Sequence, residues 1–475
     1  MSSGGGTHSG ALTCLCQNHA QSCRLGPPAP QMDQHGLSPR GVAATVPALS
    51  YYPAFIAAAA DPWSRDRPAD QGVINLCVAE DKQSSGMVAA QLAAQAAAAA
   101  VPGNELGYCD MRGTPALRAS LARYVSRTLA PGAACDPEHL CVSAGCGAVF
   151  DILAHALASP GDCFLVPAPW YAAFVNDLRV RAGVAARAVP EPDGALVPSV
   201  AALEAARLDA ERAGAPARAL LLVNPGNPTG QVLPPARVRE LLAWGLSRGL
   251  HVISDEVYAG SVFDPAAGPP FVSAALHAQA PGGLPGVSAE AVRDRLHVVF
   301  GFSKDFAASG MRAGVLWSAN PALQRALGNL GYFCAVSVQT QRSLAALLDD
   351  EAWLAAFAAE HNARLRASRD AASAALASAG LTHAPATAGM FLWADLRPAL
   401  PPSPTPADER AAWEELYKGE ARVLLTPGAD CAAPEPGFFR MCFAACDPQA
   451  LQHVGPRLQR FMAARRTRGA CPPAP

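Results

Sequence analysis

Charge is scarce in this sequence. Asp, Glu, Lys and Arg together make up 16% of its 475 residues, and the net charge is −2. No basic field exists of the kind that draws nucleic acid, so no nucleic-acid partner is expected. Long apolar runs are also missing, which excludes an obvious membrane span. The stretch Val88–Ala100 is mostly small and is broken by Gln91 and Gln95, so it reads as a soluble helix. Cysteine is plentiful at 14 residues, yet no Cys-x-x-Cys pair occurs and Cys14 with Cys16 is too little for a metal site. No secretory pattern opens the chain. These absences point to reduced, mostly buried thiols, no metal, and a cytoplasmic location. Residues 1–40 are rich in Gly, Ser, Pro and Gln, with one acidic residue, Asp33, and two arginines, Arg24 and Arg40. A disordered tail is the expectation there. An organelle transit peptide, acid-poor by composition, is the alternative.

What the chain does have is apolar mass. Hydrophobic residues are 51% of a chain longer than one core usually serves, which predicts two domains sharing one site. The most informative stretch is Val298–Gly314. It begins as a continuous apolar run, the signature of a buried parallel strand. It then delivers Ser303 and Lys304, with Arg312 eight residues further on. A lysine at the end of a buried strand is costly unless it snorkels or has a task. One such task is to sit at a depressed pKa and form a Schiff base with an aldehyde cofactor.

Other stretches carry residues of the same kind. Leu140–Phe150 is a strand, a glycine turn (Gly145, Cys146, Gly147) and an apolar helix start, where free N–H groups can bind a phosphate. Asp162–Tyr171 ends a second strand with the aromatics Trp170 and Tyr171. Ala219–Gly230 is a buried strand followed by Asn224-Pro-Gly-Asn227-Pro-Thr-Gly230, a loop that cannot continue it. His251–Gly260 is one more strand, with Asp255 at its end and Tyr258 three residues on. A carboxylate there suits the crevice rule for open α/β sheets.

The run Gly301-Phe-Ser303-Lys304-Asp-Phe-Ala-Ala-Ser-Gly-Met-Arg312-Ala-Gly314 resembles the pyridoxal-phosphate attachment motif of class I/II aminotransferases, and within them the aminocyclopropane-carboxylate (ACC) synthase-like branch. The resemblance covers roughly residues 40–460, in order. It implies an α/β chain of fold type I, with a large domain whose mostly parallel sheet is flanked by helices and a smaller α+β domain. The expected divisions are a tail at 1–40, an arm and part of the small domain at 41–85, a large cofactor domain at 86–335, a small domain at 336–465 and a tail at 466–475. The arm, with its anchor Tyr52–Ile56, is expected to reach a partner subunit, which makes a homodimer.

The resemblance also assigns roles. Lys304 carries pyridoxal 5'-phosphate and acts as general base. Asp255 faces the pyridine nitrogen, Asn227 and Tyr258 the ring oxygen, and Tyr171, with Trp170 as the second choice, the ring face. Gly145, Cys146, Gly147, Ser303 and Arg312 hold the phosphate, with Tyr108 supplied by the partner chain. Arg440, in Pro436-Gly-Phe-Phe-Arg440, clamps the substrate carboxylate, and Glu80 lies at the substrate mouth. Four positions depart from the pattern. Asp81 stands in place of Asn, Met111 in place of a tyrosine of the plant ACC synthases, Gly301 in place of a phosphate-binding serine, and Phe438 in place of Trp. An aminotransferase acting on an amino acid and a 2-oxo acid is the expected activity. ACC synthesis from S-adenosylmethionine is the first alternative, and a non-catalytic protein of the same fold the second.

Overall fold

The computed structural model describes residues 36–47, 49–192 and 194–469. Most of the expected N-terminal tail and the last six residues of the C-terminal one lie outside them. The described residues fall into two compact units, 36–47 and those from 49 onward. In the first, the helix Pro39–Ala44 starts with proline, and its cap Ser38 accepts a 3.2 Å hydrogen bond from Gly41 N.

A seven-stranded sheet forms the centre of the second unit. Its order is Leu140–Ser143, Gly314–Ser318, Leu296–Gly301, His251–Asp255, Ala217–Val223, Cys163–Pro167, Ala185–Val189. Only Gly314–Ser318 runs antiparallel to its neighbours. Alternate residues enter two apolar layers. Leu220, Leu222, Val252 and Val298 face one; Ala219, Leu221, Ile253 and Val299 face the other. Both faces are covered, which is why these strands read as unbroken apolar runs. Five of the parallel strands point their carboxyl ends the same way, and the loops that follow Ser143, Pro167, Val223, Asp255 and Gly301 carry the candidate residues.

A four-stranded antiparallel sheet takes Thr426–Pro427, Phe438–Cys442, Phe391–Asp395 and Thr382–His383 in that order. Its register sets Arg440 between Trp393 and Thr426. Two helices, Val338–Asp349 and Glu351–Ser378, lead to this sheet. The break between them is Asp350, whose carboxylate caps the second helix through Trp353 N at 3.0 Å.

Local signals start helices in stretches rich in Pro, Gly and Ala. The stretch 264–293 contains the helix Ala274–Gln279 and the start of Ala289–Arg295. Each is nucleated by a serine cap, Ser273 and Ser288. The proline-rich stretch 397–408 ends inside the helix Pro406–Lys418, which a Thr405–Asp408 capping box starts. The final helix runs to Gly469.

Arg457 on that final helix is buried at 1% exposure and has no carboxylate partner among the described residues. Its guanidinium donates to the carbonyls of Ala69, Gln71, Gly72 and Arg422 at 2.6, 2.8, 2.7 and 3.1 Å. It thus ties the segment before Ile74 to the strand Val423–Leu424, with which Ile74–Asn75 pairs in parallel. Charge-assisted hydrogen bonds contribute most when their acceptors are otherwise orphaned. Arg457→Met is expected to cost about 3 kcal/mol, read as a lower midpoint in chemical denaturation. An unchanged midpoint would mean that water replaces the guanidinium at no cost.

Candidate active site

Nine of the sequence-predicted residues meet at one cavity of about 130 Å³. Cys146 and Gly147 come from the start of the helix Cys146–Leu157, and Tyr171 and Asn227 from two strand-end loops. Asp255 and Tyr258 follow a third strand, and Ser303, Lys304 and Arg312 a fourth. Phe150, Val257 and Ser309 complete the walls with Gly301.

Lys304 stands three residues past its strand, and its ammonium donates to the carbonyl of Ala79. Burial lowers its pKa from the ordinary value, and the Arg440 guanidinium pushes the same way. That shift brings an amine closer to use as a base at neutral pH.

The corner near Cys146 suits an anion. Gly145 caps the helix with no side-chain hydrogen bond, so the first-turn N–H groups are left to an outside acceptor. Gly145 has φ 91°, and a Cβ there would run into the Arg312 guanidinium. Arg312 itself sits at φ 49°. It donates to Ser309 O at 3.0 Å and Ala144 O at 3.2 Å, and no carboxylate pairs with it among the described residues. Gly301 has a local reason. A Cβ there would lie 2.9 Å from Cys146 Sγ and 3.0 Å from Ala313 O, so the cysteine sulfur fills the room a serine would need.

Asp255 supplies the opposite sign. Its carboxylate is buried and accepts only a 3.3 Å bond from Val257 N among the described groups. Burial, helped by the neighbouring Glu256 carboxylate, pushes its pKa up to about 7. A cationic group in the cavity would hold it ionised. Tyr171 lines the cavity edge-on to Phe174, with ring centroids 5.2 Å apart. Trp170 is buried outside the cavity wall, which favours Tyr171 of the two for a flat guest.

Arg440 lies one hydrogen bond from the cavity. It is 1% exposed, donates to Asn227 Oδ1 at 3.0 Å, Cys77 O at 2.7 Å and Thr426 Oγ1 at 3.1 Å, and stacks over Phe391 at 4.7 Å. Its Nε has no partner and no carboxylate faces it among the described residues. A buried cation with an unused donor is a receptor for an anion. Glu80 is half-buried in the turn after Ala79 and is not part of the cavity wall. Tyr108 is 93% exposed and lines a different hollow, with Glu105 and Arg342, so the structure does not bring it to the cavity of its own chain.

Sequence reasoning missed two acids beside the site, the half-buried Asp177 and the buried Asp305. Asp177 lies beside Gly147, where a Cβ would come within 3.4 Å of its Oδ1, and burial pushes its pKa up to about 6. Asp305, next to Lys304, accepts from Gly260 N at 2.7 Å and Ser261 Oγ at 2.5 Å, and burial pushes it also up to about 6. Adjacency to Lys304 was a usable signal for Asp305. Asp177 gave none, since its place depends on how the helix Phe174–Arg179 packs.

The raised Asp255 pKa sets a pH dependence. A carboxyl whose folded value exceeds its unfolded one contributes stability below the unfolded pKa and loses it as pH rises through the folded one. Cofactor-free protein should therefore lose on the order of 3 kcal/mol from this group between about pH 5 and about pH 8. Asp255→Asn should leave the melting temperature unchanged near pH 5 and raise it near pH 8. A difference of the opposite sign would show that Asp255 is stabilised as the anion.

The family model described as aminotransferase class I and II matches residues 71–458. Two rice (Oryza sativa subsp. japonica) proteins named 1-aminocyclopropane-1-carboxylate synthase 5 and 3 are 34% and 36% identical. Their alignments cover 87% and 82% of this chain and 77% and 88% of theirs. Among solved structures, a Thermus thermophilus aspartate aminotransferase with maleate superposes with TM-score 0.70 at 22% identity, over 90% of this chain and 99% of that one. An aromatic aminotransferase from Pyrococcus horikoshii OT3 does so with TM-score 0.68 at 22% identity, over 83% and 96%. These two carry the fold alone. The match of the family model over most of the chain, with a cavity that suits a phosphate at one corner and a ring cation at Asp255, makes the chain a pyridoxal 5'-phosphate-dependent enzyme of the class I and II aminotransferase family, with ACC synthase-like relatives.

Proposed function

We propose that the protein is a transaminase that moves the α-amino group of an amino acid to a 2-oxo acid. The observation that carries the amino-acid part is Arg440, a buried guanidinium with a free Nε and no carboxylate of its own. Its planar fork matches a substrate α-carboxylate. Pyridoxal phosphate, when bound, supplies an electron sink for the pair released at the substrate α-carbon.

The chain's own residues do the rest. Lys304 Nζ would be the attachment point and, once free, the base that takes the α-proton and passes it to the cofactor's aldehyde carbon. Arg312 and the helix N-terminus at Cys146 and Gly147 bind the phosphate, with Ser303. Asp255 stays ionised against the protonated ring nitrogen, and Asn227 and Tyr258 hold the ring oxygen. Tyr171 packs on the ring face and Glu80 approaches the substrate mouth. Tyr108 belongs to the neighbouring site of a homodimer. The exposure of Leu106, Tyr108, Tyr332 and Phe333, at 75%, 93%, 62% and 74%, supports a covering partner. We place the protein in a reducing compartment such as the cytoplasm, because all ten described cysteines are unpaired. No helix among the described residues is long and apolar enough to cross a membrane.

ACC synthesis from S-adenosylmethionine is the second reading, and the names of the rice relatives favour it. Met111 and Asp81, where the plant enzymes carry tyrosine and asparagine, favour the transaminase. A single-turnover assay of the holoenzyme separates them. Purified protein is mixed with alanine, glutamate, aspartate, methionine, aromatic amino acids or S-adenosylmethionine. Release of a keto acid, with the cofactor absorbance moving to its amine form, is the expected result. Release of methylthioadenosine and ACC would replace the first reading by the second. Arg440→Ala should keep the cofactor band and raise KM for the amino acid on the order of 10²-fold, as for truncation of a buried charge pair. Lys304→Ala should abolish the visible band, and an unchanged spectrum would remove Lys304 from its role.

A further inference from the structure

Four buried side chains form a polar line beside Lys304: Asp81, His361, Ser261 and Asp305. His361 Nδ1 lies 3.1 Å from Asp81 Oδ2 and 3.0 Å from Ser84 Oγ. His361 Nε2 lies 3.3 Å from Ser261 Oγ, which donates to Asp305 Oδ1 at 2.5 Å. Both ends of the line touch the site. Asp305 follows Lys304 in sequence, and Asp81 follows Glu80 and the Ala79 carbonyl that accepts the Lys304 ammonium. The middle holds the loop after Tyr258, since Asp305 also accepts from Gly260 N and Asn362 Nδ2 donates to Gly260 O at 3.0 Å.

The contacts along the line fix the ring's orientation. Ser261 spends its one proton on Asp305, so it must accept from His361 Nε2. Nδ1 faces Ser84 Oγ and, beside it, Asp81 Oδ2, which has no other partner among the described residues. Both edges of the ring are therefore engaged, and two buried carboxylates flank it, Asp81 directly and Asp305 through Ser261. The other charged groups of that helix turn point elsewhere. Arg364 donates to Gln83 O at 2.5 Å and to Glu360 at 2.7 Å. Stacking on Phe357, at 5.4 Å and 14° between planes, holds the ring plane.

We propose that His361 is a positioning residue which ties the Glu80 turn to the Lys304 and Tyr258 loops and keeps the Ala79 carbonyl against Lys304 Nζ. The proposal rests on the reading of Lys304 as attachment lysine and base. It assigns His361 no contact with substrate or cofactor. Its loss should move the base without weakening Arg440.

The test compares holoenzyme of wild type, His361→Asn, Asp81→Asn and Asp81→Asn/His361→Asn. Four readouts are taken: kcat and KM for the accepted amino acid, the pH profile of kcat, the pH titration of the bound cofactor's absorbance, and melting temperature. His361→Asn should lower kcat about tenfold or more, within the range expected of a misplaced reacting group, with KM changed less than about twofold. The double variant replaces both members of the pair by amides, so it should recover most of that kcat. It should also differ from wild type in the acid limb of the pH profile and in the cofactor titration. Additive losses in kcat and melting temperature would overturn the proposal, because coupled neighbours are non-additive. So would a pH profile and titration of the double variant that overlay wild type. If His361→Asn does not fold, Asp81→Asn and the double variant decide it by the same pH readouts. A wild type without a cofactor band would defeat the proposed function itself. A normal band with additive variants would defeat only the role of His361.

Discussion

The site depends on cations held without their own counterions. Lys304, Arg312 and Arg440 stand in or beside one cavity, and no carboxylate pairs with either arginine among the described residues. Burying a cation such as Arg440, at 1% exposure, costs several kcal/mol unless hydrogen bonds and a guest offset it. Here the fold supplies carbonyls for Lys304 and Arg312, and two carbonyl-type oxygens and a hydroxyl for Arg440. The remaining deficit is an anion deficit. A cofactor phosphate at Arg312 and a substrate carboxylate at Arg440 would answer it at two separate points, which is what orients an amino acid over a flat ring. Asp255 completes the logic in reverse, since burial holds it near neutrality until a ring cation arrives.

Topology makes this charge arrangement possible. Parallel strands deliver their loops to one edge of the sheet. Both sheet faces are buried, so the strands are rigid and the loops inherit fixed starting points. Arg440 comes from a different sheet, at a register position between Trp393 and Thr426. Asn227 joins the two, as it lines the cavity and accepts from Arg440.

Much of this was legible in the sequence for one reason. A charged or amide side chain just after an unbroken apolar run is conspicuous, and Lys304, Asp255 and Asn227 are all of that kind. What escaped was local structure with weak apolar content, such as the helix Ala274–Gln279, where one serine cap outweighs a Pro- and Gly-rich neighbourhood. Contacts between distant segments also escaped. His361 and Ser84 are 277 residues apart, and nothing in either segment announces the other. Tyr108 marks a third kind of limit, since it is exposed and lies away from the cavity of its own chain.

Two departures from the family pattern have matching neighbours in space. Gly301 lacks the serine side chain, and Cys146 Sγ sits where that side chain would go. Asp81 replaces an amide, and His361 stands against it with a line of hydrogen bonds to Asp305. A protein released from catalysis has no reason to keep such pairs matched around an intact lysine. Loss of function would leave a cavity with mismatched walls, or a buried carboxylate without a donor. Instead both changes are balanced within the shell that touches Lys304 or the corner by Cys146. These two departures are therefore adjustments of a working site and argue against a silent relic of the fold.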